Sequence, residues 1–361
     1  MRTPLFWGEP ELTFLRRFFD GVDKAVTDEM QAGRALLEES LTFVLARLLD
    51  GESTFQKILD YPLGTLNVDL DRCGSGSQVK VELETNEHKK SFESAVSHAD
   101  LGIILRREHS VFGPALTKAV IVQSKKLYQA KDKYRLSSAY EGFDIAQFKA
   151  LKEIASTLDW DGVCYFLYNP RLDAFAEDDA KLLRAMESRI APQLAWGGFP
   201  FRHPEMEHFM HKYLYRFPIS GIAPVSQLAS PERALENRQK LLALKPGLRV
   251  MGISSIAQLV ESKSSVKRSF RLDECYRYAM SDHWWGNSGA IPFLPLSSFL
   301  VDLFIGCSKG SENEKIIRIA EGKPPEPDPS PEDPTPGLAV RHTLRITVRN
   351  TLPEMDISFQ H

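Results

Sequence analysis

Three polar residues stand where two apolar runs begin and end. Asp100 opens the run from Ala99 to Leu105, and Gln123 and Lys125 close the run that starts at Ala119. A carboxylate and an amide oxygen are the ligand types a hard cation such as Mg²⁺ prefers. A lysine beside such a cation can orient or deprotonate a water. The cation polarises a phosphodiester and stabilises the leaving oxygen. The chemistry requires that the three side chains meet. His98 to Leu127 reads as two β-strands with a turn at Gly113-Pro114. Side chains alternate along a strand, so Gln123 and Lys125 share a face and Ser124 takes the other. Pairing of the two strands would bring Asp100 beside both.

At these residues the chain resembles the PD-(D/E)XK nuclease superfamily, in the variant where glutamine replaces the second acid. Asp100 matches the first motif position, Gln123 the substituted acid and Lys125 the lysine. Ala99 stands where the usual pattern has proline. Lys24 to Asp50 reads as one long amphipathic helix, with Met30, Leu37, Leu41, Val44 and Leu48 at three- and four-residue intervals on average. Glu38 and Glu39 interrupt it, with Thr42 one turn on. EESLT resembles a signature of some bacterial nucleases in the superfamily, which commonly place a helix glutamate near the metal. Adjacent helix residues lie about 100° apart, so one of Glu38 and Glu39 would face the site; Glu38 is the preferred choice. Gln147, in the helix expected over Ile145 to Ile154, would lie near the site. Val163 to Tyr168 reads as a buried strand. The resemblance covers about residues 24 to 170.

It implies an α/β fold, a restriction-endonuclease-like mixed sheet flanked by helices, followed by a C-terminal α+β region. The implied activity is metal-dependent hydrolysis of DNA. Asp100, Gln123 and Glu38 would hold Mg²⁺ or Mn²⁺, and Lys125 would act on the water. The chain is also similar to effector nucleases of bacterial anti-phage systems, such as the nuclease subunits of Lamassu-type complexes, which work beside a large ATPase. That likeness implies a homo-oligomer or a hetero-complex with an ATPase or sensor subunit. The expected organisation is a nuclease domain over residues 1–170, a regulatory or assembly region over 171–321, a proline-rich acidic linker over 322–337 and a terminal strand segment over 338–361. That last strand would need a sheet edge on this chain or a neighbour's.

Other residues bear on partners. Lys126, Lys131, Lys133 and Arg135, interleaved with Tyr128, Tyr134 and Tyr140, are candidates for nucleic-acid backbone contact. A net charge of −3 gives the whole molecule no basic signature, so such contact would be a local patch. Glu82 and Glu84 alternate with Val81 and Leu83 and read as a solvent face; Glu87 follows them. Glu205, His208 and His211 share a helix face and would suit a metal-dependent oxidase, but the two-copy pattern such sites need is missing. A non-catalytic assembly subunit with the nuclease fold is the other alternative. Four scattered cysteines fit reduced thiols in a cytoplasm. No membrane span or secretory leader is read from the apolar runs.

Overall fold

The computed structural model describes residues 9–32, 36–73, 78–87, 99–108, 115–129, 133–197, 247–261, 269–281, 290, 291, 293–305, 309–323, 340 and 342–351. The expected turn at Gly113-Pro114, Lys131, most of the linker and the Glu205, His208 and His211 cluster lie outside them.

The architecture is mixed α/β, a central sheet flanked by helices. The helices of the first part are α1 (Glu9–Gln31), α2 (Glu38–Leu48) and α3 (Leu63–Cys73). Strands β1 (Gln78–Glu87), β2 (Leu101–Arg107), β3 (Leu116–Lys126) and β4 (Ala139–Tyr140) follow, then α4 (Ile145–Thr157), β5 (Val163–Tyr168) and α5 (Glu177–Gly197). The remainder is β6 (Arg249–Gly252), α6 (Ile253–Glu261), β7 (Phe270–Arg271), α7 (Leu272–Met280), β8 (Leu294–Pro295), a π-helical segment (Ser298–Ile305), α8 (Glu314–Ala320) and β9 (His342–Thr351).

Lys24 to Asp50 is not one helix. The apolar stripe of α1 runs backward through Val26, Val22, Phe19, Phe18 and Leu15, all buried, so the helix starts at Glu9 and ends at Gln31. A second helix starts at Glu38 after an extended Leu37. This break makes Glu38 and Glu39 the first turn of α2, where the helix dipole favours carboxylates. Leu41, Thr42, Leu45, Ala46 and Leu48 form its buried face.

Seven strands make the sheet in the order β1-β9-β2-β3-β5-β6-β8. β3 is its axis: every residue from Lys118 to Lys126 is buried, as expected of a strand covered on both faces. It pairs antiparallel with β2 and parallel with β5. Thr42 of α2 meets Ser124 on one face, and Phe299 of the π-helical segment meets Phe166 there. Helices α4 and α8 lie on the other. Gly102 of β2 allows α8 its close approach: a Cβ there would sit 2.2 Å from the Ala320 carbonyl oxygen.

The sheet does not respect the expected boundaries. β6 and β8, from the region after residue 171, extend it beyond β5. The terminal strand is not at an edge either. β9 lies between β1, antiparallel, and β2, parallel. Leu344, Ile346 and Val348 are buried in the core, which is why an inner position suits this segment better than an edge. On its polar face Arg345 pairs with Glu84 at 3.2 Å and Arg349 with Glu82 at 2.9 Å, so Glu82 and Glu84 belong to cross-strand ion pairs. The apolar run from Ala290 to Ile305 is core: Phe299, Leu300, Val301 and Phe304 are fully buried.

A buried charge cluster joins α5, α7 and β6. Arg249 donates to the Glu187 carboxylate at 2.6 Å, and the Tyr276 hydroxyl donates to the same oxygen. An arginine cannot shed its charge, so removing its acid leaves a buried cation. Glu187→Ala is expected to cost about 3–5 kcal/mol in urea unfolding, and Glu187→Leu with Arg249→Met to recover most of that. A loss below ~1 kcal/mol for the single variant would contradict a paired, buried guanidinium. A second expectation concerns β9, the sheet partner of β1. A chain ending at Gly337 should show no cooperative thermal transition by circular dichroism; a native-like melt would contradict the inner position of β9.

Candidate active site at the ends of β2 and β3

Asp100 precedes β2 and is held by its backbone on both sides. Its N–H donates to the Val122 carbonyl of β3, and its carbonyl accepts from the His342 N–H of β9, each at 3.0 Å. The C-terminal strand therefore helps to position this carboxylate. One carboxylate oxygen, Oδ2, accepts from the Ser124 N–H at 2.7 Å and from Gln123 Nε2 at 2.8 Å. Asp100 is 8% exposed and Gln123 2%. A carboxylate this deep needs charge-assisted hydrogen bonds to compensate its lost hydration.

Lys125 shares the Gln123 face, as alternation requires. Its Nζ reaches around the strand end to Glu38 Oε1 at 3.2 Å. The other oxygen of Glu38 accepts from the Lys126 N–H at 3.1 Å. Glu38 thus bonds β3 through both of its carboxylate oxygens. Glu39 stands beside it and acts on it through its charge. Burial is the main influence on the Glu38 carboxyl and raises its pKa above the ordinary glutamate range; the Lys125 ammonium and the Lys126 N–H offset part of that rise.

Three hydroxyls fix α2 against the sheet below Glu38. Thr42 Oγ1 donates to Ser124 Oγ and lies within hydrogen-bond distance of the Tyr168 hydroxyl, both at 3.1 Å. All three residues are buried. No motif marks Ser124 or Tyr168; in the sequence Ser124 stands out only by its hydroxyl on the face opposite Gln123, and Thr42 by its place four residues after Glu38. On the other face, Gln147 Nε2 donates to Gln123 Oε1 at 2.8 Å. Gln147 occupies the first turn of α4, where Asp144 caps the helix through the N–H groups of Ala146 and Gln147.

The basic segment divides. Lys133 and Arg135 are exposed and form no ion pair among the described residues. Lys126 has another role: it is 8% exposed, its Nζ donates to the Leu36 carbonyl at 2.7 Å, and it lies 5.5 Å from the Tyr128 ring centre. Burial lowers its pKa, with Glu38 opposing. Tyr134 and Tyr140 are not surface partners for a phosphate backbone. Tyr134 packs on Phe175, and Tyr140 is fully buried, donating to Asn169 Oδ1 at 2.5 Å. Their rings fill apolar space, which outweighs any surface use of the hydroxyl.

Two hydrogen-bonded pairs therefore stand at one end of the β2–β3 pair, Asp100 with Gln123 and Lys125 with Glu38. Among the described residues no three His, Cys, Asp or Glu side chains come together as a metal site. No described helix is long and apolar enough to cross a membrane. No protein-family model, curated protein sequence or solved structure matches the chain.

The Glu38–Lys125 pair makes a testable electrostatic statement. The Glu38 carboxyl should titrate above the ordinary glutamate value in ¹³C NMR, and Lys125→Met should move it further up. Folding raises this pKa, so ionisation of Glu38 opposes folding at higher pH. That cost is relieved as pH falls through the folded value. A Glu38 titration at or below the ordinary range would contradict the buried geometry.

Proposed function

We propose that this chain is a metal-dependent endonuclease of the restriction-endonuclease-like kind, acting on DNA. The observation that carries the reading is the meeting of Asp100 with Gln123 and of Lys125 with Glu38 at one end of the β2–β3 pair. Asp100 and Glu38, with the Gln123 amide oxygen, would hold Mg²⁺ or Mn²⁺. The donor set is hard and oxygen-based, which suits these ions. When bound, the ion would polarise the phosphodiester and stabilise the departing oxygen. The Lys125 ammonium orients the attacking water and offsets charge developing on the phosphate. Glu38 restrains that ammonium, and the Thr42–Ser124–Tyr168 hydroxyls hold Glu38 in reach. Lys133 and Arg135 provide exposed cations for phosphate contact.

The resting site is covered, with Asp100, Gln123 and Lys125 each 8% exposed or less. A scissile phosphate must touch these groups. Burial therefore favours a site that opens when a partner, such as an ATPase or sensor subunit, or a further copy of the chain assembles with it; that the chain is a cytoplasmic defence effector rests on its resemblance to the effector nucleases of anti-phage systems. The same burial, and the filling of Asp100 Oδ2 by two donors, also favour a second reading, a nuclease fold kept as a non-catalytic assembly subunit.

A cleavage assay separates the two. Plasmid and linear DNA would be incubated with Mg²⁺, Mn²⁺ or EDTA, and with the chain alone or with proteins encoded beside it. The nuclease reading expects cutting that EDTA abolishes and that Asp100→Ala and Lys125→Ala each lower by about 10²-fold or more. Cutting that survives both substitutions would place the chemistry elsewhere. Absence of cutting by folded protein in every combination would favour the assembly subunit.

A further inference from the structure

We propose that Gln147 is a positioning residue that switches the Gln123 amide between a metal-free and a metal-holding orientation; this rests on the metal-site reading above. The inference comes from the direction of three hydrogen bonds. Asp100, as a carboxylate, only accepts. Gln123 therefore meets it nitrogen first, through Nε2 at 2.8 Å, with a second donation to the Ser124 carbonyl at 3.2 Å. The amide oxygen of Gln123 is left pointing at α4, where Gln147 Nε2 donates to it at 2.8 Å. Asp100, Gln123 and Gln147 thus form one directional chain, each member dictating which end the next presents.

A cation at Asp100 reverses that demand, because it takes oxygens. Turning the Gln123 amide end for end brings its oxygen beside the carboxylate and swings its nitrogen toward α4. Gln147 must then turn as well, to accept. An amide carries a donor and an acceptor of nearly equal size, so both turns conserve shape. The two states differ in hydrogen-bond polarity and not in packing, and the turned state gives up the 3.2 Å donation to the Ser124 carbonyl. A glutamate at position 123 could not do this. It would also set a second buried negative charge against Asp100 in the resting state. Gln147 is suited to the task because the Asp144 cap pins its backbone, with the Ala146 N–H donating at 2.7 Å. Only its side chain needs to move.

The test is Mn²⁺ binding to the full chain by isothermal titration calorimetry, which does not depend on catalysis. Gln147→Glu presents acceptors only and should preset the Gln123 oxygen toward Asp100, tightening Mn²⁺ binding about tenfold. Gln147→Lys presents donors only and should weaken it by about as much. Both changes also alter charge, so each is repeated in a Gln123→Glu background, where residue 123 has no donor end to turn. The proposal expects the two effects to shrink there to about twofold, a coupling a double-mutant cycle isolates. Effects of the same size in both backgrounds would reduce them to charge and overturn the switch alone. Binding that Asp100→Ala abolishes but both Gln147 variants leave unchanged would also overturn it alone. No Mn²⁺ binding by folded wild type or Gln123→Glu would overturn the metal-site reading and the switch with it.

Discussion

The structure depends on how one buried carboxylate is satisfied. Asp100 takes the Ser124 N–H and the Gln123 amide on one oxygen, while its own backbone bonds Val122 on one side and His342 on the other. An unsatisfied carboxylate at this depth would be costly. The start of β2, the end of β3 and the start of β9 must therefore keep their register together. Slipping any of them by one residue would turn its side chains to the opposite face and strip Asp100 of its donors. Register here is set by polar satisfaction as much as by apolar burial.

Around that anchor, the two faces of β3 do different work. The Ser124 face receives α2, and the contact is made by hydroxyls, which have fixed hydrogen-bond directions where apolar side chains would permit sliding. Fixing α2 fixes Glu38 at the strand end, where it can hold Lys125. The Gln123 face receives α4, where Gln147 donates to the Gln123 amide oxygen. One helix thus brings charge to the site and the other brings a reversible dipole. Gln123 stands between Asp100 and Gln147 and links the α4 face to the carboxylate, while Ser124 links the α2 face to it.

The rest of the chain supports this arrangement from a distance. β9 closes the gap between β1 and β2 and holds Asp100 from behind. The segments after residue 171 add β6 and β8 to the same sheet, with Arg249 and Glu187 pinning β6 to α5. The exposed cations Lys133 and Arg135 lie on the connection that leaves β3 and leads to α4, close in sequence to both Lys125 and Gln147.

The short-range features are legible in the order of residues alone. Alternation along Ala119 to Lys125 placed Gln123 and Lys125 on one face and Ser124 on the other. Apolar runs marked β2, β3 and β5, and the polar alternation of Glu82 and Glu84 marked a charged strand face. These features follow from local periodicity, which a chain carries wherever it folds. Tertiary structure set Glu38 against β3, because a break before α2, and not helical phase alone, sets that helix's rotation. Tertiary structure also sent Lys126, Tyr134 and Tyr140 inward, where packing and a backbone carbonyl outweighed their polar ends. It placed β9 inside the sheet, more than 230 residues in sequence from the strands it joins, β1 and β2. Strand partners so far apart are chosen by mutual burial, and no local pattern encodes that choice.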